Sequence, residues 1–218
     1  MQTVHVRLDH LVWAAGDLDA GAARMAAWVG MVPRPGGSHP QWGTRNRLLG
    51  LEDGAYLEVV APDPNIAVPE AGRAFGVDTA GEGGLVTWAA RCDDLREAAH
   101  RLDALGVEPG EVASGQRVRP DGRVLRWTQT DPTADRLGGA VPFLLDWGSS
   151  PHPSSDLARE DAVAGSAVRI ELRHPQPERV LEALRAIEDP NGVAVTVTSG
   201  PWEIAAELRT HDGRTIRL

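Results

Sequence analysis

Residues 7–30, RLDHLVWAAGDLDAGAARMAAWVG, have a counterpart 77 residues later in GLVTWAARCDDLREAAHRLDALGV, residues 84–107. Asp17 and Leu18 fall on Asp94 and Leu95, Arg24 on Arg101, Met25 on Leu102 and Trp28 on Leu105. Self-similarity at a fixed offset marks a duplicated supersecondary unit. Leu18, Ala22, Met25 and Val29 recur at i, i+4, i+7 and i+11, and Leu95, Ala99 and Leu102 repeat that spacing, so each copy predicts a strand followed by an amphipathic helix. Asp17 and Asp94 are placed to accept hydrogen bonds from the free amides of the first helical turn. Gly30 and Gly106 suit the left-handed conformation that ends a helix.

Outward from each copy the pattern changes to period two. Strands are expected around 44–51 and 55–61 after the first helix, and around 116–118, 124–129 and 141–147 after the second. The stretches GLEDGA and RPDGR carry the Asp-Gly pairs that tight hairpins favour. The Pro- and Ser-rich run at 148–164 reads as a surface connector. A third unit follows, with Val168, Ile170 and Leu172 alternating against Arg169, Glu171 and Arg173, then a helix burying Val180, Leu181, Leu184 and Ile187, then three short strands. The fold class is α+β, with a double module over 1–150, a connector over 151–164 and a βαβββ-like unit over 165–218. The polar alternation of the third unit implies one solvated face, which suits an appendage better than a ligand cup.

Composition narrows the chemistry. The 218 residues include 22 basic ones, all arginine, so Schiff-base lysine chemistry and Walker-type phosphate loops are excluded. Cys92 is the single cysteine, which excludes an intrachain disulfide and a thiolate zinc cluster. A net charge of −9 argues against nucleic acid or an anionic membrane as partner and favours a small-molecule ligand. The apolar runs fall short of the roughly 20 residues that cross a bilayer, and the N-terminus has no signal pattern, so a cytoplasmic location is expected.

One residue conflicts with its surroundings. In YLEVVAP, residues 56–62, Glu58 lies in a buried-strand pattern, where an unpaired carboxylate costs several kcal/mol. It requires a partner.

Taken together, RLDHLVWAAGDLDAG, HPQWGTRNRLLGL, YLEVVAP and PFLLDWG resemble the glyoxalase-like branch of the vicinal-oxygen-chelate superfamily over about residues 5–150. The resemblance implies paired βαβββ modules joined into a curved sheet whose concave side holds a metal or a ligand. It places His10 and Glu58 at metal-ligand positions of the first module. In the second module the 77-residue offset puts Thr87 where His10 would recur, and either Leu144 or Asp146 is the equivalent of Glu58. The implied metal set is His10, Glu58 and Asp146 around one divalent ion (Zn, Mn, Fe or Ni). The alternative is that His10 and Glu58 hydrogen-bond each other while Asp146 caps a strand end.

A strand through GTRN puts Thr44 and Asn46 on one face and Arg45 and Arg47 on the other. If the first face looks into the cup, Thr44 and Asn46 orient a polar ligand and Trp42 covers an apolar one. His39 and Glu58 are then the candidates for proton transfer. Seven tryptophans against two phenylalanines and one tyrosine suit an apolar cup. The activity implied is that of a lyase, isomerase or dioxygenase acting on a small molecule with adjacent oxygens. The competing readings are a metal-free sequestering protein of the bleomycin-resistance type and an interaction module whose C-terminal unit covers the cup. A homodimer is compatible with the pattern, the third unit either replacing a second copy or adding to one.

Overall fold

The computed structural model describes residues 2–118 and 123–218. Its strands are β1 (Gln2–Val6), β2 (Leu8–Ala14), β3 (Arg34–His39), β4 (Thr44–Gly50), β5 (Tyr56–Pro62), β6 (Gly84–Arg91), β7 (Ala113–Val118), β8 (Val124–Gln129) and β9 (Phe143–Asp146), followed by β10 (Gly165–His174), β11 (Val193–Ser199), β12 (Glu203–Thr210) and β13 (Thr215–Arg217). The helices are α1 (Leu18–Val29), α2 (Leu95–Ala104), α3 (Pro153–Arg159) and α4 (Pro177–Arg185).

The duplicated stretch folds as its pattern predicts. Asp17 accepts from the amide of Ala20 and Asp94 from that of Glu97, and α1 ends on Gly30 at φ 77°. Each helix is the crossover that lets a parallel partner return to the sheet: β5 pairs parallel to β2, and β9 parallel to β6. The two modules join through the antiparallel pair β2–β6 into an eight-stranded sheet of order β3-β4-β5-β2-β6-β9-β8-β7. The sheet curls until Cα atoms of its two edge strands, β3 and β7, approach within 8 Å.

Alternation along the central strands separates two environments. Leu11, Trp13, Leu57, Val59, Trp88 and Leu144 point to the convex side and pack in one core with α1 and α2. Val12, Ala14, Val60, Ala89, Phe143 and Leu145 point to the concave side. That convex core runs on into Ile170, Leu172, Leu181 and Val195 of the C-terminal unit. The unit therefore backs the convex side of the cup and does not cover its mouth.

Three details depart from the sequence reading. β1, grouped by sequence with residues 1–150, pairs antiparallel to β11 and completes the second sheet, of order β1-β11-β10-β12-β13. β3 (RPGGSH) has no strand signal because two glycines and a proline dominate it; as an edge strand it tolerates them. The connector is no plain surface run, since it contains α3, with Leu157 packed among Leu48, Tyr56 and Ala162. Of the two Asp-Gly turns, GLEDGA joins β4 to β5 with Asp53 and Gly54 both at positive φ; RPDGR falls largely on 119–122, outside the described residues.

Candidate functional site

Glu58 has the partners its burial demands. From β5, its Oε1 accepts from Asn46 Nδ2 of β4, and its Oε2 lies 3.4 Å from His10 Nε2 of β2. All three residues are at least nine-tenths buried. Asn46 is fixed at its other end by the Gly37 amide, which donates to Oδ1 at 2.7 Å. Gly36 makes that approach possible, because a Cβ there would collide with Asn46 Oδ1.

His10 is held from behind by Asp9, whose Oδ1 lies 2.7 Å from Nδ1. Neighbours in a regular strand point to opposite faces, so this contact needs a backbone irregularity. It comes from a β-bulge: Leu8 pairs with Ala90 and His10 with Ala89, leaving Asp9 as the extra residue. The bulge breaks the two-residue parity, so that Leu8 and Leu11, three apart, both enter the convex core. Bulges beside functional sites re-aim side chains in this way.

Asp9 is fully buried and is the hub of the site. Its Oδ2 accepts from Trp147 Nε1 at 2.8 Å and His152 Nε2 at 3.2 Å, with Arg91 Nε at an ion-pair distance of 3.5 Å. Burial by itself would raise the Asp9 carboxyl, but the hydrogen bonds from His10 and His152 outweigh it and hold the group far below the ordinary carboxylate range. An ionised Asp9 only accepts hydrogen bonds, so His10 Nδ1 carries the proton and Nε2 is the atom presented to Glu58.

Two aromatic rings pack against the imidazole. Tyr56 stacks on it at 4.6 Å, and Phe143 meets it edge-on at 5.3 Å. His10, Glu58 and Asn46 line a chamber of about 50 Å³ with Phe143, Leu145 and Trp147 on the opposite wall. Beyond it opens a cleft of about 730 Å³, and Trp42, Phe75, Gln129 and Pro132 form walls of both spaces. Phe75 holds φ 62°, a left-handed conformation that costs a bulky residue about 1–3 kcal/mol, at the boundary between them. Gln129 Oε1 accepts from Trp127 Nε1, which leaves the Gln129 amide hydrogens as its donors toward a ligand. Thr87, 5% exposed, lines the outer cleft with its hydroxyl unpartnered.

The structure divides the sequence candidates. His10, Glu58, Asn46, His39 and Trp42 all line the inner chamber. Thr44 shares the Asn46 face but is fully buried beside His39, 3.5 Å from Nδ1, and lines neither space. Asp146 is not in the cup: its neighbour Leu145 lines the chamber, whereas Asp146 has the parity of Leu144, which packs in the convex core. Its carboxylate accepts from the Gly148 amide at 2.7 Å, a strand-end cap. Trp147, expected in the core or the cup wall, lines the chamber, whereas Asp9 and His152 are absent from the sequence reading. The adjacent acid and imidazole of RLDHL are a local hint of Asp9, but parity sends it to the wrong face, and nothing local connects residue 152 to residue 9.

The donor set does not fit the implied metal. A catalytic centre of that kind rests on three protein ligands, and His10 with Glu58 supplies two. The second module offers Ala89 opposite His10 and Leu145 on the facing wall, and the Gln129 oxygen is committed to Trp127. Among the described residues no group of three or more His, Cys, Asp or Glu converges on a common point.

A cup of paired βαβββ modules with acid–base groups on its floor defines a protein of the glyoxalase class. A sequence profile of the glyoxalase-like domain matches residues 8–188, and the chain belongs to that family, within the vicinal-oxygen-chelate superfamily. Comparison with curated proteins gives no match. Among solved structures, a hypothetical protein from Staphylococcus aureus is similar over 97% of this chain and 98% of its own, with 15% identity and a TM-score of 0.68. Methylmalonyl-CoA epimerase from Mycobacterium tuberculosis is 23% identical over 73% of this chain and 96% of its own, with a TM-score of 0.42. A Streptomyces coelicolor methylmalonyl-CoA epimerase variant in complex with 2-nitronate-propionyl-CoA is 21% identical over 68% and 99%, with a TM-score of 0.45. At these identities the likeness to the Staphylococcus protein speaks for the fold.

Proposed function

We propose that this protein is a proton-transfer enzyme, an isomerase or lyase, acting on a small organic molecule whose reacting carbon lies next to a carbonyl or a pair of adjacent oxygens. The observation that carries the reading is the chain Asp9–His10–Glu58, which ends in a chamber walled by apolar and aromatic groups. With Nδ1 protonated and bonded to Asp9, His10 Nε2 is the base. It takes the proton from the substrate carbon as the C–H bond breaks, and the electron pair moves onto the neighbouring oxygen. Asp9 stabilises the imidazolium that forms, and the Gln129 amide on the chamber wall is the donor for the oxyanion. Glu58, 3.4 Å from Nε2, shares the proton and returns it from its own side. His39, half-buried at the same chamber, is a second proton carrier toward the outer cleft. The outer cleft takes the rest of the molecule.

The test is exchange. Carbon acids such as α-hydroxy ketones, 2-oxo acids and acyl thioesters, incubated with the protein in D₂O, are followed by proton NMR. Solvent deuterium should enter at the carbon next to the carbonyl of the substrate class, and His10→Ala should slow that entry by about 10²–10⁴-fold. Ligands that bind with no exchange would move the assignment to a sequestering protein. That second reading is favoured by one observation, the apolar second half of the chamber, formed by Phe143, Leu145 and Trp147.

A further inference from the structure

His152 lies in the segment between the cup and the C-terminal unit, yet both of its ring nitrogens are committed to defined partners. Nδ1 accepts from the Ser154 amide at 3.2 Å and meets Ser154 Oγ at 2.7 Å, which makes His152 the N-cap of α3. A nitrogen that accepts from an amide carries no proton, so the hydrogen of the neutral ring is on Nε2. That nitrogen faces Asp9 Oδ2 at 3.2 Å. Burial, the largest influence, pushes the imidazole below its ordinary value, against the raising effect of Asp9, in keeping with a neutral ring. Asp9 thus lies between two histidines of opposite tautomer: His10 presents Nδ1–H to Oδ1, and His152 presents Nε2–H to Oδ2.

We propose that His152 is a positioning residue for His10, acting through Asp9. A carboxylate on a bulged residue can rotate about its own side-chain bonds. Two donors on Oδ2, His152 from the connector and Trp147 from the end of β9, hold the plane in which Oδ1 meets His10 Nδ1. A histidine side chain in water prefers its proton on Nε2, which would turn a donor toward Glu58 and remove the imidazole lone pair from the chamber. The Asp9 bond reverses that preference, and His152 keeps the bond aligned. The segment 151–164 is therefore part of the site, and the fold of α3 is coupled to the protonation geometry of the chamber. The catalytic consequence rests on the proton-transfer reading, whereas the nitrogen geometry does not.

Two substitutions separate the cap from the donor. His152→Asn retains a good N-cap but is too short to reach Asp9; His152→Gln retains a donor at the reach of Nε2 but caps poorly. Imidazole nitrogen-15 shifts, read at mildly alkaline pH without substrate, report which nitrogen of His10 is protonated. The wild type and His152→Gln should keep His10 Nδ1 protonated, and His152→Asn should lose that signature while its far-UV dichroism stays native. A wild-type His10 signature in His152→Asn overturns the proposal, as does an equal loss in both variants, which would assign the effect to packing of the ring. Should a variant fail to fold, the unsubstituted protein decides: His152 itself must show a protonated Nε2 and a bare Nδ1, and the reverse tautomer overturns the proposal. Because no turnover is read, failure here and failure of the exchange experiment are distinguishable.

Discussion

The two halves of the cup share a chain path and differ in chemistry. In the first, the concave positions of β2, β4 and β5 hold His10, Asn46 and Glu58; in the second, those of β6, β8 and β9 hold Ala89, Trp127, Phe143 and Leu145, with Gln129 and Thr87 as polar but non-titrating groups. Duplication preserved what the sheet needs, namely the helix caps, the convex core and the parallel return strand. It did not preserve the polar groups, because a concave position contributes little to packing between sheet and helix and is free to diverge. One half carries the titratable groups and the other faces them with a largely apolar wall. Electrostatic interactions strengthen in such a place, since low local polarity raises the strength of each bond in the Asp9–His10–Glu58 chain.

This contrast breaks most clearly at Asp9. Asp9→Ala leaves the Arg91 charge and three donors without their acceptor and should destabilise the fold by about 3–5 kcal/mol, measured by urea denaturation at neutral pH. It should also change the acid response. The folded carboxyl is depressed below its unfolded value of about 3.9, so its contribution is complete above that pH and is lost as pH falls toward the folded value. The acid limb of the stability curve should therefore be shallower in the variant.

On the other wall, Leu145→Ala should cost about 2–5 kcal/mol from lost burial and the cavity left behind, equally at neutral and acid pH. If that loss varied with pH, the division between a polar and an apolar half would fail. Gly36→Ala sharpens the first half: overpacking against Asn46 should cost about 1–3 kcal/mol and, by freeing Glu58, lower exchange activity beyond what the stability loss explains. Asp146→Asn should be nearly silent, within about 0.5 kcal/mol in stability and unchanged in activity, because the residue caps Gly148 on the convex side. A large loss of activity there would restore it to the site.

Much of this was legible locally. Helix spacing, the Asp caps, the Asp-Gly turn at 53–54 and the strand alternation are properties of neighbours in sequence, and each appears where the pattern put it. Glu58 was legible as an anomaly, since a buried acid demands a partner, and the family resemblance set His10 beside it; Asn46, expected to orient a ligand, is instead bonded to Glu58. Parity misplaced two residues. Asp9 escaped because one extra residue in β2 reverses the face of everything before it, and Asp146 because the equivalent of Glu58 was placed at Leu144 or Asp146, whereas the register turns Leu145 inward, a one-step shift that alternation leaves open.

The amino-acid sequence by itself determined the paired modules, the alternation of the central strands and the need for a counterpart to Glu58, because these follow from periodicity and from the desolvation of a single charge. Only the tertiary structure decided that Asp9 turns inward, that Asp146 turns away, and that His152, 143 residues from Asp9, closes the hub. Those outcomes depend on a backbone bulge and on chain segments meeting after the sheet has curled, and no local spacing encodes either.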